Sequence, residues 1–190
     1  MDYTVSSVRG NPRLDDLPFT ALGGQPRFAP GAIEPFVAAP RVAVLAYVRA
    51  DGRPCQSPIW YTHRFGAFHM STVTGSPKHR ALARDPRVCL TIQDERPPYR
   101  AVIADGEVEL EPLPVGSDDT TAGMALRYFV RLGASEYERM TADEYARRGL
   151  TIITLRPTKL RGFDNTRALS RAALLFMRLR DRLPVPRSWL

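Results

Sequence analysis

Residues 71–80 read STVTGSPKHR, and they join a β-rich run to the start of a helix. Ser76 is a residue type that caps helix N-termini, and Pro77 suits the first helical position, where its missing N–H costs nothing. We therefore predict a helix whose free N–H groups and positive dipole end lie beside Lys78 and Arg80. A strand-to-helix junction with two cations is a common way to build a phosphate site. The alternative is an ordinary helix start with solvated charges.

Lysine is rare in this chain, which has 27 lysine and arginine residues in total. Only Lys78 and Lys159 are lysines, so the one at the strand-to-helix junction stands out. Ser71 and Thr72 add two hydroxyl groups at the end of the preceding strand. The segment therefore brings together polar and cationic groups that suit a phosphate.

The composition is that of a folded, soluble protein. The chain has 190 residues, of which 44% are hydrophobic and 25% are charged, which predicts one good core with tails. No apolar run approaches the roughly 20 residues that span a bilayer. The N-terminus has neither the basic start nor the apolar stretch of a signal peptide, so we expect a cytoplasmic protein.

The cysteines and histidines give little support for a metal site. Cys55 and Cys89 fall in probable strands without CxxC spacing, and we interpret them as small buried hydrophobic residues. His63, His69 and His79 lie in a window without clustered carboxylates. We therefore predict no metal.

The chain divides into three parts. Residues 1–35 contain five prolines and no sustained hydrophobic period, so we expect an arm that lies over something else or stays mobile. Residues 36–165 form the predicted domain. Residues 166–190 form a basic tail that we predict to be an amphipathic helix.

The basic charge belongs mostly to the end of the chain. Residues 157–190 hold eight basic and two acidic residues, a net of +6 out of +7 for the whole chain. The domain itself therefore gives no argument for nucleic-acid binding, and none is expected. On a helical wheel of the tail, the apolar residues lie on one face and the arginines lie on the opposite face. The apolar residues are Leu169, Ala172, Ala173, Phe176, Leu179 and Leu183. This face could pack on the barrel or a second subunit, or could make a weak contact with an anionic membrane surface or an acidic partner.

The first strands follow one another closely. The apolar run 42–48 ends at Asp51-Gly52, which is a strong hairpin signal, and a second strand follows through 56–62. A turn near Phe65-Gly66 leads into a third strand at 67–73. These segments predict an antiparallel meander.

Three more strands follow. Strand character returns at 88–92, and a fifth strand over 101–111 is long or bulged at Gly106. The sixth covers 150–155, and residues 159–163 are a possible extension of it. Strands outnumber helices and most are linked by short turns, which predicts a closed or nearly closed antiparallel barrel with a few helices.

The helices are placed by their end signals. The helix that starts at Ser76 should end near Arg84, before Asp85-Pro86. Another begins at Ser117 and should stop at Gly133. A second, broken helical segment ends at Gly149, and it is predicted from two successive capping boxes, Ser135 with Glu138 and Thr141 with Glu144.

Several short motifs occur in an order that resembles a known superfamily. They are RADGRP at 49–54, SPIW at 57–60, ST at 71–72, SPKHRAL at 76–82 and DPRV at 85–88. In this order they resemble the split-barrel superfamily of pyridoxamine-phosphate-oxidase-like flavin and deazaflavin oxidoreductases, over roughly residues 36–165. Two further segments, DERPPYR at 94–100 and LRPTKLRGFD at 155–164, are similar to the branch that uses the deazaflavin coenzyme F-420 rather than FMN. Ala81 stands where that branch often has asparagine.

The resemblance implies a mainly β fold, a six-stranded antiparallel split β-barrel (the FMN-binding split barrel) with flanking helices. It implies a homodimer with the cofactor in the groove between subunits, and a hydride transfer between coenzyme F-420 and a small organic acceptor. It also implies two parts of a cofactor site. The phosphate would be held by Ser71, Thr72, Ser76, Pro77, Lys78 and Arg80. The deazaflavin ring would lie along Gln56, Ser57, Pro58, Ile59 and Trp60. The alternatives are an FMN-binding oxidoreductase, or a non-catalytic binder of F-420 or of another planar anionic ligand such as haem.

Hydride transfer demands little acid or base chemistry from the protein, because the reactive carbon belongs to the cofactor. This agrees with a sequence that shows no paired carboxylates and no nucleophile with its base. Tyr61, His63 and Tyr99 are candidate proton donors, and the sequence does not select among them. For Trp60 and Tyr61, packing in the core or at an interface is the favoured interpretation over contact with a substrate.

Overall fold

The computed structural model describes residues 12–113, 119–129 and 131–180. Eight strands and five α-helices occur in these ranges. The strands are β1 Phe19–Ala21, β2 Ala43–Val48, β3 Pro54–Ile59, β4 Thr62–Arg64, β5 Ala67–Val73, β6 Arg87–Gln93, β7 Arg100–Leu113 and β8 Leu150–Asp164. The helices are α1 Ile33–Ala38, α2 Pro77–Arg84, α3 Asp119–Tyr128, α4 Arg131–Arg148 and α5 Arg171–Arg180.

The strands form one sheet in the order β3-β2-β6-β7-β8-β5-β4, and all neighbours in this path are antiparallel. The short β1 adds to β8 in parallel, with Phe19 opposite Leu160. The predicted fold class, mainly β with helices, is confirmed. The count of strands exceeds the predicted six because β1 was not foreseen and because the chain leaves the sheet edge at residues 60–61, which separates β3 from β4.

The sheet is rolled but not closed. Its two end strands, β3 and β4, are consecutive in the chain and are linked only by Trp60 and Tyr61. Three Cα steps cover at most about 11 Å, so the two ends of the sheet must approach each other. They are not hydrogen-bonded to each other, and the barrel is therefore split rather than closed.

The irregularity predicted at Gly106 is present, but the bulged strand is β8. The register between β7 and β8 shifts between Asp105 and Gly106, which pair with Lys159 and Pro157 and leave Thr158 of β8 without a pairing partner. A Cβ atom at Gly106 would lie 2.6 Å from the Arg156 carbonyl oxygen, so a larger residue would push the two strands apart. The extra residue bends β8 and helps the sheet to roll.

The described part of the predicted arm, residues 12–35, lies against the core. Leu14, Phe28 and Ile33 are buried in the same cluster as the strands. Of the two expectations for the arm, these residues fit the one in which it lies over the rest of the protein, and they contain β1 and the start of α1. The prolines break any hydrophobic period, and this hid the buried residues from a periodicity argument.

The helix predicted at Ser76 is confirmed, with Ser76 as its N-cap. The prediction for residues 117–149 is wrong in its middle, because Gly133 and both capping boxes lie inside the continuous α4. The Thr141 hydroxyl donates to the Tyr137 carbonyl at 2.9 Å, a bond available inside a helix. The end at Gly149, which has a φ of 72°, agrees with the prediction.

In the described parts of the chain, no helix has the length and apolar composition needed to cross a membrane. The predicted tail helix is present as α5, and the predicted residue Leu183 lies outside the described residues.

Candidate functional site

The start of α2 is organised by two hydroxyl groups. Ser76 Oγ accepts from the His79 N–H at 3.1 Å, and Thr72 Oγ1 lies 3.2 Å from the same oxygen. Pro77 contributes no N–H at this helix end. The Ser76 hydroxyl is therefore committed to capping, and Thr72 supports it from the end of β5.

Helix α2 turns its two cations in different directions. Lys78 shares a helix face with Ala81 and Leu82, three and four residues later, which are only 4% and 1% exposed. That face lies against the sheet, so Lys78 points inward and is half-buried. Arg80 is exposed, and its guanidinium group donates to the Gly75 carbonyl. Lys78 is thus the inner cation of the two.

Lys78 is buried without a balancing anion. No carboxylate of the described residues lies within 4.0 Å of its ammonium group. Burial lowers the pKa of Lys78, and the neighbouring Cys55 acts in the opposite direction. An unpaired ammonium group in such a place is costly, and an anionic ligand would remove that cost.

The inner face of β3 lies close to Lys78. Cys55 and Ser57 point to the same side of the β2–β3 hairpin as Tyr47 and Leu45, their direct cross-strand partners. The Cys55 thiol donates to Tyr47 Oη at 3.5 Å. Burial is the main cause that raises the pKa of the Tyr47 phenol, and the hydrogen bond with Cys55 raises it further. The phenol is therefore neutral at physiological pH. The hairpin thus presents a thiol and two hydroxyls beside the lysine.

Several buried polar atoms of the described side chains have few partners. His79 Nδ1, His63 Nε2 and Arg127 Nε are buried without a hydrogen bond, and the buried Ser57 Oγ interacts only with the Tyr47 phenol, whose pKa it lowers. Buried polar atoms are seldom left unpaired, so each calls for an explanation. Ser57 belongs to β3 and His79 to α2, the elements that carry Cys55 and Lys78. A lysine without a carboxylate partner, with hydroxyl groups on the neighbouring strand, suits an anionic ligand such as a phosphate.

The predicted ring-binding segment does not present one continuous surface. Gln56 and Pro58 are exposed on the outer face of β3, whereas Ile59 is buried in the core, because successive strand residues face opposite sides. Trp60 stacks on Tyr128 with ring centroids 5.2 Å apart. Ser57 and Ile59 therefore share the inner face, and of these two only Ser57 is polar.

Ser71 and Thr72 also face opposite sides. Thr72 lies on the inner side with the buried Met70, while Ser71 lies on the side of His69. His69 Nδ1 is 3.3 Å from Thr154 Oγ1 on β8. The two hydroxyl groups therefore cannot both contact a ligand that is bound on one side of β5.

The proton-donor candidates differ in access. Tyr61 is fully buried and donates to the Val37 carbonyl at 2.8 Å, and its burial raises its pKa to about 12. A buried group that already donates inside the core cannot touch a bound substrate. His63 is half-buried with a lowered pKa caused first by burial, and Tyr99 is 48% exposed. The geometry leaves His63 and Tyr99.

The loop at 94–100 is pinned to the core. Asp94 accepts from Arg41 at 2.9 Å and from Arg100 at 2.7 Å, and the two guanidinium groups lie 4.1 and 4.8 Å from the Phe36 ring centroid. These contacts hold the loop in place and leave Tyr99 displayed at its end. The acid and arginine of this motif thus have a structural role.

The motif at 155–164 likewise holds strands together. Arg161 donates to the two oxygens of Asp105 at 2.7 and 2.8 Å, which ties β8 to β7. A Cβ atom at Gly162 would overlap the Ala101 carbonyl oxygen, so glycine is required for the close approach of the strands. This motif shapes the barrel rather than lining the site around Lys78.

A cleft of about 430 Å³ lies elsewhere, at the bulge between β7 and β8. It is lined by charged residues that include Arg87, Glu107 and Arg156. None of the sequence-predicted site residues lines it. The chemistry predicted from the sequence therefore does not reside in this cleft.

Sequence reasoning missed Tyr47 and treated Cys55 only as a small buried residue. The hairpin signal predicted which strands pair but not their register. Pairing outward from a two-residue turn at Asp51-Gly52 sets Tyr47 opposite Gln56, whereas the structure sets it opposite Cys55. This shift of one residue decides that Cys55 and Ser57, and not Gln56, share a face with Tyr47.

Comparison with known protein families decides the identity of the fold. The family model for pyridoxamine 5′-phosphate oxidase matches residues 29–164. The chain belongs to the pyridoxamine 5′-phosphate oxidase family. The match covers β2 to β8 together with α2, so Lys78 and Ser57 lie within the family region, and the resemblance inferred from the motifs is confirmed. No curated protein matches the chain.

Solved structures of this family type are similar to the chain. A conserved hypothetical protein from Mycobacterium tuberculosis has a TM-score of 0.57 at 20% identity, covering 78% of this chain and 92% of that one. An F420 reductase has a TM-score of 0.49 at 23% identity, covering 70% and 98%. The haem storage protein HutZ from Vibrio cholerae has a TM-score of 0.47 at 13% identity, covering 66% and 87%. The first of these shows a shared fold.

Proposed function

We propose that this member of the pyridoxamine 5′-phosphate oxidase family is an oxidoreductase that uses coenzyme F-420 with a small organic acceptor. The observation that carries the proposal is Lys78, which is turned inward and has no carboxylate partner among the described residues. A phosphate is the ligand group that best balances such a lysine. The choice of F-420 over FMN rests on the motifs at 94–100 and 155–164.

The residues of the chain divide the task of binding. The Lys78 ammonium neutralises the phosphate, and the start of α2 adds a favourable dipole. The Ser57 hydroxyl, which interacts with the Tyr47 phenol, has a further lone pair for a polar edge of the ligand, and Tyr47 and Cys55 fill the adjoining wall. When bound, the deazaflavin ring supplies the carbon that accepts or donates the hydride.

The protein itself then has to orient the coenzyme against the acceptor and exclude water. Tyr99 is the exposed candidate able to pass a proton to a reduced acceptor, whereas His63 is half-buried and its Nε2 is buried. The lowered pKa of His63 keeps it neutral at pH 7, so it would act as a base or through a bound water. Tyr99 carries an exposed hydroxyl that is able to donate a hydrogen bond.

A second copy of the chain would complete the ring site. β3 is the end strand of the sheet path, and Gln56 and Pro58 are exposed on its outer face. Proline on an end strand leaves a neighbouring backbone group without a ladder partner, which a ligand edge or a second subunit would satisfy. A homodimer mass in light scattering supports this arrangement, and a monomer at micromolar concentration contradicts it.

Binding is tested by Trp60 fluorescence in a Trp189→Phe background, where Trp60 is the remaining tryptophan. The protein is titrated separately with F-420 and with FMN. Lys78→Ala should weaken binding of F-420 at least tenfold, because a charge-assisted contact to phosphate is lost. Lys159→Ala, the matched change at the other, exposed lysine, should leave it unchanged.

The outcomes separate the alternatives. If FMN binds more tightly than F-420 and this binding still depends on Lys78, the proposed site is correct but the coenzyme is FMN. Binding of neither would refute the proposal. The protein is also mixed with reduced F-420 and a panel of enones, quinones and nitroaromatics. If it binds F-420 but none of these acceptors oxidises the reduced coenzyme, the protein is a non-catalytic binder. Haem is then the next ligand to titrate.

A further inference from the structure

Helix α5 exposes a stripe of apolar side chains. Leu175 is 59% exposed and Phe176 is 70% exposed, and Ala172 on the same side is also exposed. Ala173, Leu174 and Met177 are half-buried on the other side. Of the alternatives for the tail, packing on the barrel does not apply to Phe176.

The stripe lies on a basic helix. Arg171 is exposed beside Leu175. Residues 178 and 180 of the same helix are also arginine, and the helix contains no acidic residue. Exposed apolar side chains on a basic helix are typical of helices that lie in the surface of an anionic bilayer.

The hydrogen bonds of the described residues that hold α5 in place lie near its start. Ser170 Oγ accepts from the Ala173 N–H at 3.2 Å and so caps the helix, and Arg167 donates to the Arg27 carbonyl at 3.1 Å. No other helix or strand of the described ranges packs extensively on α5. The helix is therefore preformed and presented outward.

We propose that α5 docks on the surface of an anionic lipid bilayer, with Leu175 and Phe176 inserted among the acyl chains. Charge favours this occupant over a second copy of the chain. The segment 157–190 carries a net of +6, so two copies of it repel each other, whereas each arginine near an anionic surface gains about fivefold in binding. This inference does not depend on the proposed coenzyme.

The test is flotation of the full chain with vesicles of phosphatidylcholine containing 30% phosphatidylglycerol, against vesicles of phosphatidylcholine alone. We expect binding to the anionic vesicles that weakens as salt rises from 0.1 to 0.5 M. Leu175→Gln with Phe176→Gln should reduce binding at least tenfold, because two exposed apolar side chains no longer enter the lipid. Met140→Gln is the matched control, since Met140 is 75% exposed on α4 and lies outside the stripe.

Each measurement has an outcome that supports the proposal and one that contradicts it. Thermal unfolding of the double variant should equal that of the wild type, because both side chains are already in water. Absence of binding to anionic vesicles overturns the proposal, and so does binding that the double variant retains. A dimer that the double variant abolishes in analytical ultracentrifugation, with no vesicle binding by the wild type, assigns the stripe to a second copy instead.

Discussion

Trp60 stacks on Tyr128 with ring planes inclined by only 12°, and this pair joins the two open ends of the rolled sheet to helix α3. The Tyr128 hydroxyl accepts from the Tyr61 N–H at 3.1 Å and donates to the Arg41 carbonyl at 2.9 Å. One phenol thus ties together the β3–β4 link, the start of β2 and a helix. The split in the barrel is held in place from outside by this contact.

Removal of that phenol should destabilise the fold. Tyr128→Phe keeps the stacking but leaves the Tyr61 N–H and the Arg41 carbonyl without this partner, at a cost of about 2 kcal/mol. Urea unfolding at pH 7.5 measures the change. Tyr99→Phe is the control, because the Tyr99 hydroxyl makes no hydrogen bond with any described residue, and it should change stability by less than about 0.5 kcal/mol. Equal effects of the two variants would contradict the assigned role.

Replacement of Lys78 by an apolar residue should stabilise the free protein. Lys78→Met removes a half-buried ammonium group that has no carboxylate partner in the described structure, and we expect a gain of about 0.5–1 kcal/mol. The same variant should lose any rise in melting temperature on addition of F-420 or FMN. Differential scanning fluorimetry with and without ligand measures both effects. A loss of stability in the ligand-free variant would show that Lys78 is structural.

Mild acid should weaken the fold through two histidines. Burial is the main cause that lowers the pKa of both His63 and His69 below the ordinary value of 6.5. As the pH falls through 6.5, the unfolded chain takes up protons that the folded chain does not, so stability decreases with falling pH. The free energy of unfolding should be lower at pH 5.5 than at pH 7.5, and His63→Gln should reduce this difference. Parallel pH curves for the two proteins would exclude a contribution from His63.

The Arg161–Asp105 pair should couple β7 to β8. A double-mutant cycle with Arg161→Gln and Asp105→Asn should give a coupling energy of about 1 kcal/mol at pH 7, since the pair is bidentate but partly exposed. The guanidinium group lowers the pKa of Asp105, so this stability is present above the ordinary carboxyl pKa and is lost as pH falls through the lowered value. A coupling of zero at pH 7 would mean that the pair only reflects strand proximity.

Local signals in the sequence predicted the positions where backbone geometry is decided by a few neighbouring residues. Ser76 and Pro77 marked the start of α2, Asp51-Gly52 set the first hairpin, and Gly106 marked the bulge. Each of these depends on a cap, a turn or a missing Cβ, which act within four residues. The order of motifs likewise identified the family before any contact was known.

The capping boxes in α4 show the limit of such signals. A serine or threonine three residues before a glutamate favours a helix start only where the chain is free to begin one there. Within 131–148 the helix continues through both, and Thr141 bonds back to Tyr137 instead. The aromatic packing of Tyr137 on Trp60, with centroids 4.8 Å apart, comes from a strand link 77 positions away and was not visible locally.

The sequence by itself determined the end of β5 and the start of α2, the family, and the presence of a lysine at that helix start. Only the tertiary structure decided that β3 ends at Ile59, that Lys78 faces inward while Arg80 faces water, and that Tyr61 donates to the Val37 carbonyl inside the core. The physical reason is that backbone conformation is set by nearby residues, whereas burial and charge balance are set by whatever the rolled sheet brings against a side chain from distant parts of the chain.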